Sequence, residues 1–254
     1  MRAQDFAGER VLVVGGGLSA VQFLLELAPV AASTVWATRR PPNFTALDFD
    51  SVWNAEVERA VDERTATGAA PASVVRTTGI PRLPDYLEGI RSGVLVSRGM
   101  FDLVGESGVR CSPRATLSDP WALGPSGRGA HADGLVEPDS WRPYPTDTWV
   151  EVDTIFWNTG LRAAIDHLAP LGLVEAPTRG LGEAVGSGAA RGIAPGERTD
   201  SGIRMRGRVD VVADPRALLV GYGSGASTFG ATRAGREVGR IAMVRLTGAA
   251  KRAL

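Results

Sequence analysis

Arg10-Val11-Leu12-Val13-Val14-Gly15-Gly16-Gly17-Leu18-Ser19-Ala20 decides how this chain folds. The run Arg10 to Val14 is Val-rich and shows no polar alternation, which predicts a strand buried on both faces. Three glycines end it. Ser19 to Ala28 then places Val21, Leu24, Leu25 and Ala28 on one helical face, and Pro29 closes the segment. Thr34 to Thr38 reads as a second strand. Strand, glycine turn, helix and strand form the opening of a right-handed βαβ unit.

Within that unit stands the pattern Gly15-x-Gly17-x-x-Ala20. The first glycine permits the tight turn. Gly17 removes a Cβ, so a pyrophosphate can approach the backbone. The small residue at 20 lets helix and strand pack closely. The helix N-terminus offers free N–H groups and the positive end of its dipole, and Gly16 and the Ser19 hydroxyl lie beside them. The pattern alone is common. Its place between a strand and a helix gives it meaning, against the alternative of a glycine turn without a ligand. An NAD site wants a carboxylate about 20 residues further on, at the end of the second strand. Here the chain reads Ala37-Thr38-Arg39-Arg40, with no acid. A guanidinium forks onto phosphate, so Arg39 and Arg40 suit the 2′-phosphate of NADP(H). The alternative is a solvated arginine pair.

Further along, Asp48 to Arg64 and Pro84 to Ile90 read as helices. Met100 to Val104 and Val109 to Cys111 flank a glycine-bounded hairpin turn, and Trp149 to Val152 reads as a third strand of the same antiparallel excursion. Thr154 to Trp157 is another buried strand, followed by Asn158-Thr159-Gly160, and Arg162 to Leu168 reads as a short helix. Ala217 to Val220 reads as a strand, Gly221-Tyr222-Gly223 as a turn, and Thr228 to Leu246 as a long helix. That second strand–glycine–helix unit offers small residues at a helix start, facing a second cofactor or nothing at all. Two stretches, 112–148 and 175–208, lack periodicity and are expected to be disordered.

The 254 residues carry 28 basic and 28 acidic side chains, so no basic field argues for nucleic acid or an anionic membrane. One cysteine, Cys111, excludes an internal disulfide and any CxxC pair, and it reads as a small buried hydrophobe in a reducing, cytoplasmic compartment. His131 and His167 do not make a metal set, so no metal is expected. No apolar run reaches the roughly 20 residues that span a bilayer, and Met1 to Arg10, with Asp5 and Glu9 and no apolar stretch, is not expected to be a signal peptide.

Taken in order, these blocks resemble the C-terminal part of the bacterial flavin-containing monooxygenase-like family of FAD- and NAD(P)-dependent oxidoreductases. The resemblance runs from Phe6-Ala7-Gly8 through the glycine motif, Thr38-Arg39-Arg40-Pro41-Pro42 and Asp153 to Gly160. It continues through Asp166 to Leu171 and Leu219 to Gly223, and ends at Gly230-Ala231-Thr232-Arg233-Ala234-Gly235-Arg236. It implies an α/β protein. Residues 1–157 would be a Rossmann-like, three-layer NAD(P)-binding domain with an antiparallel excursion. Residues 158–254 would be the C-terminal segment of an incomplete FAD-binding domain. It further implies that Gly15, Gly17, Ser19 and Ala20 bind NADPH, and that Thr159-Gly160 is the crossover toward the flavin. Gly221, Tyr222, Gly223, Ser227 and Thr228 would be the return segment against the FAD ring. Asn158 departs from the family's usual alanine. Met1 falls at the linker that would follow the family's first GxGxxG domain, so a truncated frame, a misassigned start or half of a split pair is expected, with a second chain supplying the FAD half. The implied activity is hydride transfer from NADPH to FAD, with a small-molecule substrate and no assigned catalytic side chain. The alternatives are an NADP(H)-binding module without activity of its own, or a non-functional remnant.

Overall fold

The computed structural model describes residues 2–45, 51–71, 79–112, 136–160, 163–175, 201–226 and 228–252. The chain divides into two compact units, 1–53 with 73–161, and 54–72 with 162–254. The second unit takes up the chain again from 162, and 54–72 joins it despite its place in the sequence.

The first unit is built on β1 (Arg10–Val14), α1 (Leu18–Leu27) and β2 (Ser33–Ala37). The pair β3 (Phe44–Thr45) and β4 (Ile80–Pro81) is parallel. Helix α2 (Ser51–Ala66) leaves this unit after Trp53, and α3 (Pro84–Arg91) returns to it. Strands β5 (Phe101–Val104), β6 (Gly108–Cys111) and β7 (Thr148–Glu151) form the antiparallel sheet, and β8 (Thr154–Trp157) follows directly.

Both β2 and β8 pair with β1 in parallel, giving the order β2-β1-β8. Single parallel bridges extend it beyond β2, from Trp36 to Ser97 and from Ser97 to Trp141. Alternate residues of β1 serve opposite faces. Val11 and Val13 pack with Ala20, Val21, Leu24 and Leu27 of α1. Leu12 and Val14 pack with Phe101, Val109 and Val152 of the antiparallel layer. Burial on both faces is why the strand's sequence is an unbroken apolar run. The chain is mixed α/β with a parallel sheet, and the antiparallel excursion forms as expected, with Trp149 on its third strand.

An ion pair ties β8 to β1. Asp153 accepts from the Arg10 N–H at 2.8 Å and from its guanidinium at 2.5 and 3.0 Å, and Glu151 accepts from the same guanidinium. Arg10 holds the Asp153 carboxyl down to about 2. A depressed carboxyl stabilises the fold fully above its unfolded value, near 3.9, and loses that contribution as pH falls through about 2. Asp153→Asn is therefore expected to be less stable than the parent at neutral pH. The gap in urea midpoint should close between about pH 4 and pH 2, and narrow in high salt because the pair is half-exposed. A gap that is constant across that window would remove the pair from the account of β8 docking.

In the second unit, β9 (Val174–Glu175) pairs antiparallel with β10 (Gly202–Ile203), and β11 (Met205–Arg206) with β12 (Asp210–Val211). Leu173, Ile203, Met205, Val211 and Tyr222 form its core. Helix α4 (Thr228–Arg252) buries Ala234, and Glu58 of α2 receives Arg208 at 3.1 Å and Arg233 at 3.0 Å.

Three expectations read differently here. Ala217 to Val220 is not a strand. Leu218 makes one bridge to Asp210, and Val220 is exposed, because β-propensity without a full partner edge builds no ladder. The helix expected at 162–168 is a 3₁₀ turn at Asp166–Leu171. Of the two stretches expected to be disordered, 113–135 and 176–200 lie outside the described residues. Their flanks are structured. Ser140 is fully buried and Trp141 extends the sheet, while Ile203 is a core residue. Polar, glycine-rich composition hid these flanks because their order comes from long-range packing.

Candidate functional site

The glycine turn joins β1 to α1 and is pinned from three sides. The Gly15 N–H donates to the Ala37 carbonyl at 2.9 Å. The Gly15 carbonyl accepts from the Trp36 indole N–H at 2.7 Å, which satisfies that buried ring. From β8, the Asn158 backbone presses in, and a Cβ on Gly15 would stand 2.1 Å from the Asn158 carbonyl oxygen. Gly15 also holds φ +140°, outside the range of most side chains.

Gly17 differs. It is the N-cap of α1 with ordinary extended dihedrals, and a Cβ there would meet nothing within 4 Å. The N–H groups of Ala20 and Val21 turn back to the Gly17 carbonyl, while those of Gly16, Gly17, Leu18 and Ser19 bond to no backbone carbonyl among the described residues. Ser19 is exposed at the mouth and Ala20 is fully buried behind it. Such an open, donor-lined helix start is an anion site in waiting. A further donor lies at its edge, since Asn158 Nδ2 is buried and without a partner. An orphaned donor beside a donor-lined turn fits a phosphate-bearing ligand.

Arg39 and Arg40 follow β2, with Arg39 exposed and Arg40 half-buried. Thr38 before them is buried and donates to the Arg40 carbonyl at 2.6 Å. Because β1 and β2 are parallel neighbours, the glycine turn and the arginine turn leave the same, C-terminal end of one sheet. Thr159 and Gly160 extend beyond β8 at that end too, both exposed, with Gly160 at φ +84°.

The remaining expected residues belong to the second unit. Gly221 and Gly223 hold positive φ, at 83° and 61°, and turn the chain into a 3₁₀ segment before α4. Tyr222 between them serves the core. Its hydroxyl accepts from the Ile203 N–H at 2.8 Å, and burial raises its pKa. Ser227 lies outside the described residues, and Thr228 opens α4.

Cys111 is buried on β6, and burial pushes its thiol up, as suits a packing residue rather than a nucleophile. Among the described residues no cluster could hold a metal ion, and no helix is long and apolar enough to cross a membrane. His167 is exposed in its 3₁₀ turn, and His131 lies outside the described residues. Trp36 and Ser97 escaped the sequence reading, and Asn158 entered it only as a departure from the family's alanine, without its place beside the glycine turn. Nothing local marks them, because each meets the glycine or arginine turn from a distant strand.

No family model matches the chain. Its fold is similar to that of the flavin-containing monooxygenase from Stenotrophomonas maltophilia and of a two-substitution variant of that enzyme. Each is 24% identical with a TM-score of 0.54, over 96% of this chain and 52% and 53% of theirs. A stretch of 39 residues is 59% identical to a ferredoxin–NADP reductase from Sulfurisphaera tokodaii, covering 15% of this chain and 12% of that protein. The chain thus spans about half the length of the solved structures it matches.

Proposed function

We propose that this chain is the NADP(H)-binding portion of an NADPH- and FAD-dependent oxidoreductase of the flavin-containing monooxygenase kind. The observation that carries the reading is the pair of features at the C-terminal end of one parallel sheet: an open, donor-lined helix start at Gly17, and an arginine turn where an NAD site would place a carboxylate. In this reading the βαβ unit is a Rossmann-like site. Gly15, Gly16 and Gly17 shape its turn, and the N–H groups of α1 with Ser19 hold the pyrophosphate. Ala20 closes helix on strand, and Arg39 and Arg40 receive the 2′-phosphate. Thr159 and Gly160 of the first unit are assigned to the crossover toward the flavin, and Gly221, Tyr222, Gly223, Ser227 and Thr228 of the second unit to a flavin-facing return segment. The cofactors supply hydride transfer. The chain's own residues bind, orient and discriminate, and none is assigned a catalytic proton. The organic substrate acts on the flavin side and is not assigned.

The second reading is an NADP(H)-binding module, or half of a split flavoprotein, without activity of its own. The chain spans about half the length of the matched structures, so the activity of those whole proteins is not carried over to it as established. One experiment separates the two. The purified chain is loaded with FAD, freed of excess, and its visible spectrum is recorded before and after NADPH, beside titrations with NADPH and NADH. NADPH is expected to bind about 10- to 100-fold more tightly than NADH, the worth of one charge-assisted phosphate contact. A retained flavin band that bleaches with NADPH supports the oxidoreductase. A folded chain that binds NADPH but keeps no flavin is the module. Absence of nucleotide binding sinks both.

A further inference from the structure

Thr38 lies between the two turns of the nucleotide site and bonds to one of them. Its side chain is buried, as is that of Ser97. Thr38 Oγ1 lies 2.6 Å from the Arg40 carbonyl oxygen and 2.6 Å from Ser97 Oγ. A hydroxyl has one proton and a carbonyl only accepts, so Thr38 donates to Arg40 and Ser97 donates to Thr38. On its other side, Thr38 Cγ2 stands 3.8 Å from where a Cβ on Gly16 would be. Thr38 thus holds the arginine turn with its hydroxyl, while its methyl lies on the side of the glycine turn. Ser97 is itself held in the sheet. Its N–H donates to the Ser140 carbonyl at 2.8 Å, its carbonyl accepts from the Arg142 N–H at 3.0 Å, and it bridges Trp36 of β2.

We infer that Thr38 and Ser97 are positioning residues for nucleotide choice. The buried relay from Ser97 to Thr38 to the Arg40 carbonyl sets the turn that carries Arg39 and Arg40, and with it the discrimination between NADP(H) and NAD(H). The inference rests on the NADP(H) reading above. Both hydroxyls are spent inside the protein, so they act through the turn rather than on the ligand. A side-chain bond to the carbonyl two residues on fixes local backbone direction, and a chain of two hydroxyls strengthens each link. Pro41 and Pro42 stiffen the turn from the other side. Recognition of a phosphate by a planar guanidinium tolerates errors of only about 0.5 Å, so a loosened turn loses selectivity before it loses the fold.

The test compares NADPH and NADH dissociation constants in the full chain. Thr38→Val keeps the volume and a methyl but removes the hydroxyl. It is expected to weaken NADPH about tenfold, one lost bond's worth, and NADH by less than about twofold. Thr38→Ser should restore the NADPH-to-NADH ratio. Ser97→Ala leaves the bond to Arg40 and should cost NADPH about threefold. Parallel losses for both nucleotides, or a Thr38→Ser chain that stays unselective, overturn the positioning role. If Thr38→Val does not fold, the Ser97→Ala ratio decides on the same criterion. The double change Arg39→Ala with Arg40→Ala tests the underlying reading separately. An unchanged ratio there removes the 2′-phosphate assignment, and the relay's role with it.

Discussion

A Gly17→Val chain is expected to fold normally and to lose both NADPH and NADH by more than about a hundredfold, close to 3 kcal/mol. The backbone at this position is extended and open to any residue, and the space before its missing Cβ contains no atom of the chain within 4 Å. A valine costs the helix only the difference between N-cap residues, about 1 kcal/mol or less. Its two methyls, however, enter the volume in which a pyrophosphate would meet the N–H groups of α1. Calorimetric titration of a variant with a parental circular dichroism spectrum and melting curve checks this. Nucleotide binding that survives within a few-fold would mean the ligand does not sit at this helix start.

Gly15→Ala is expected to do the reverse and strike the fold first. Its single methyl would lie 2.1 Å from the Asn158 carbonyl oxygen and 2.7 Å from the Asn158 carbonyl carbon. Both are backbone atoms at the end of a paired strand, so neither gives way cheaply. The φ of +140° adds backbone strain for any side chain. Overpacking and strain together put the cost at about 3 kcal/mol. For a chain of this size that lowers the melting temperature by about 6–12 °C. A melt within about 2 °C of the parent would show that β8 slides away from the turn, and the close approach would then carry no structural weight. The two glycines of one motif thus answer different questions, one about the fold and one about the ligand.

The β1–turn–α1–β2 unit was legible because each of its signals is local. An apolar run with glycines after it and a helical stripe beyond needs no partner to be read, and the absent carboxylate before Arg39 is visible at a glance. The hairpin around Gly105 to Gly108 and its third strand at Trp149 were legible for the same reason. The strand expected at 217–220 failed because its composition promised an edge that the fold does not supply. The sequence placed Tyr222 in a turn between two glycines, and only the structure shows its phenol oxygen accepting from the Ile203 N–H inside the core of the second unit.

By itself, then, the sequence determined a parallel α/β unit with one glycine turn, an arginine pair after its second strand, and an antiparallel excursion, since short-range periodicity and turn chemistry suffice for these. Only the tertiary structure decided what gives each residue its task. It set β8 against β1 across more than 130 residues, which makes Gly15 obligatory and leaves the Asn158 amide unpaired beside the turn. It brought Ser97 to Thr38 across 59 residues, and moved 54–72 into the second unit. The physical reason is that close packing and hydrogen-bond satisfaction are relations between distant segments, and one strand's pattern states that it is buried without stating against what.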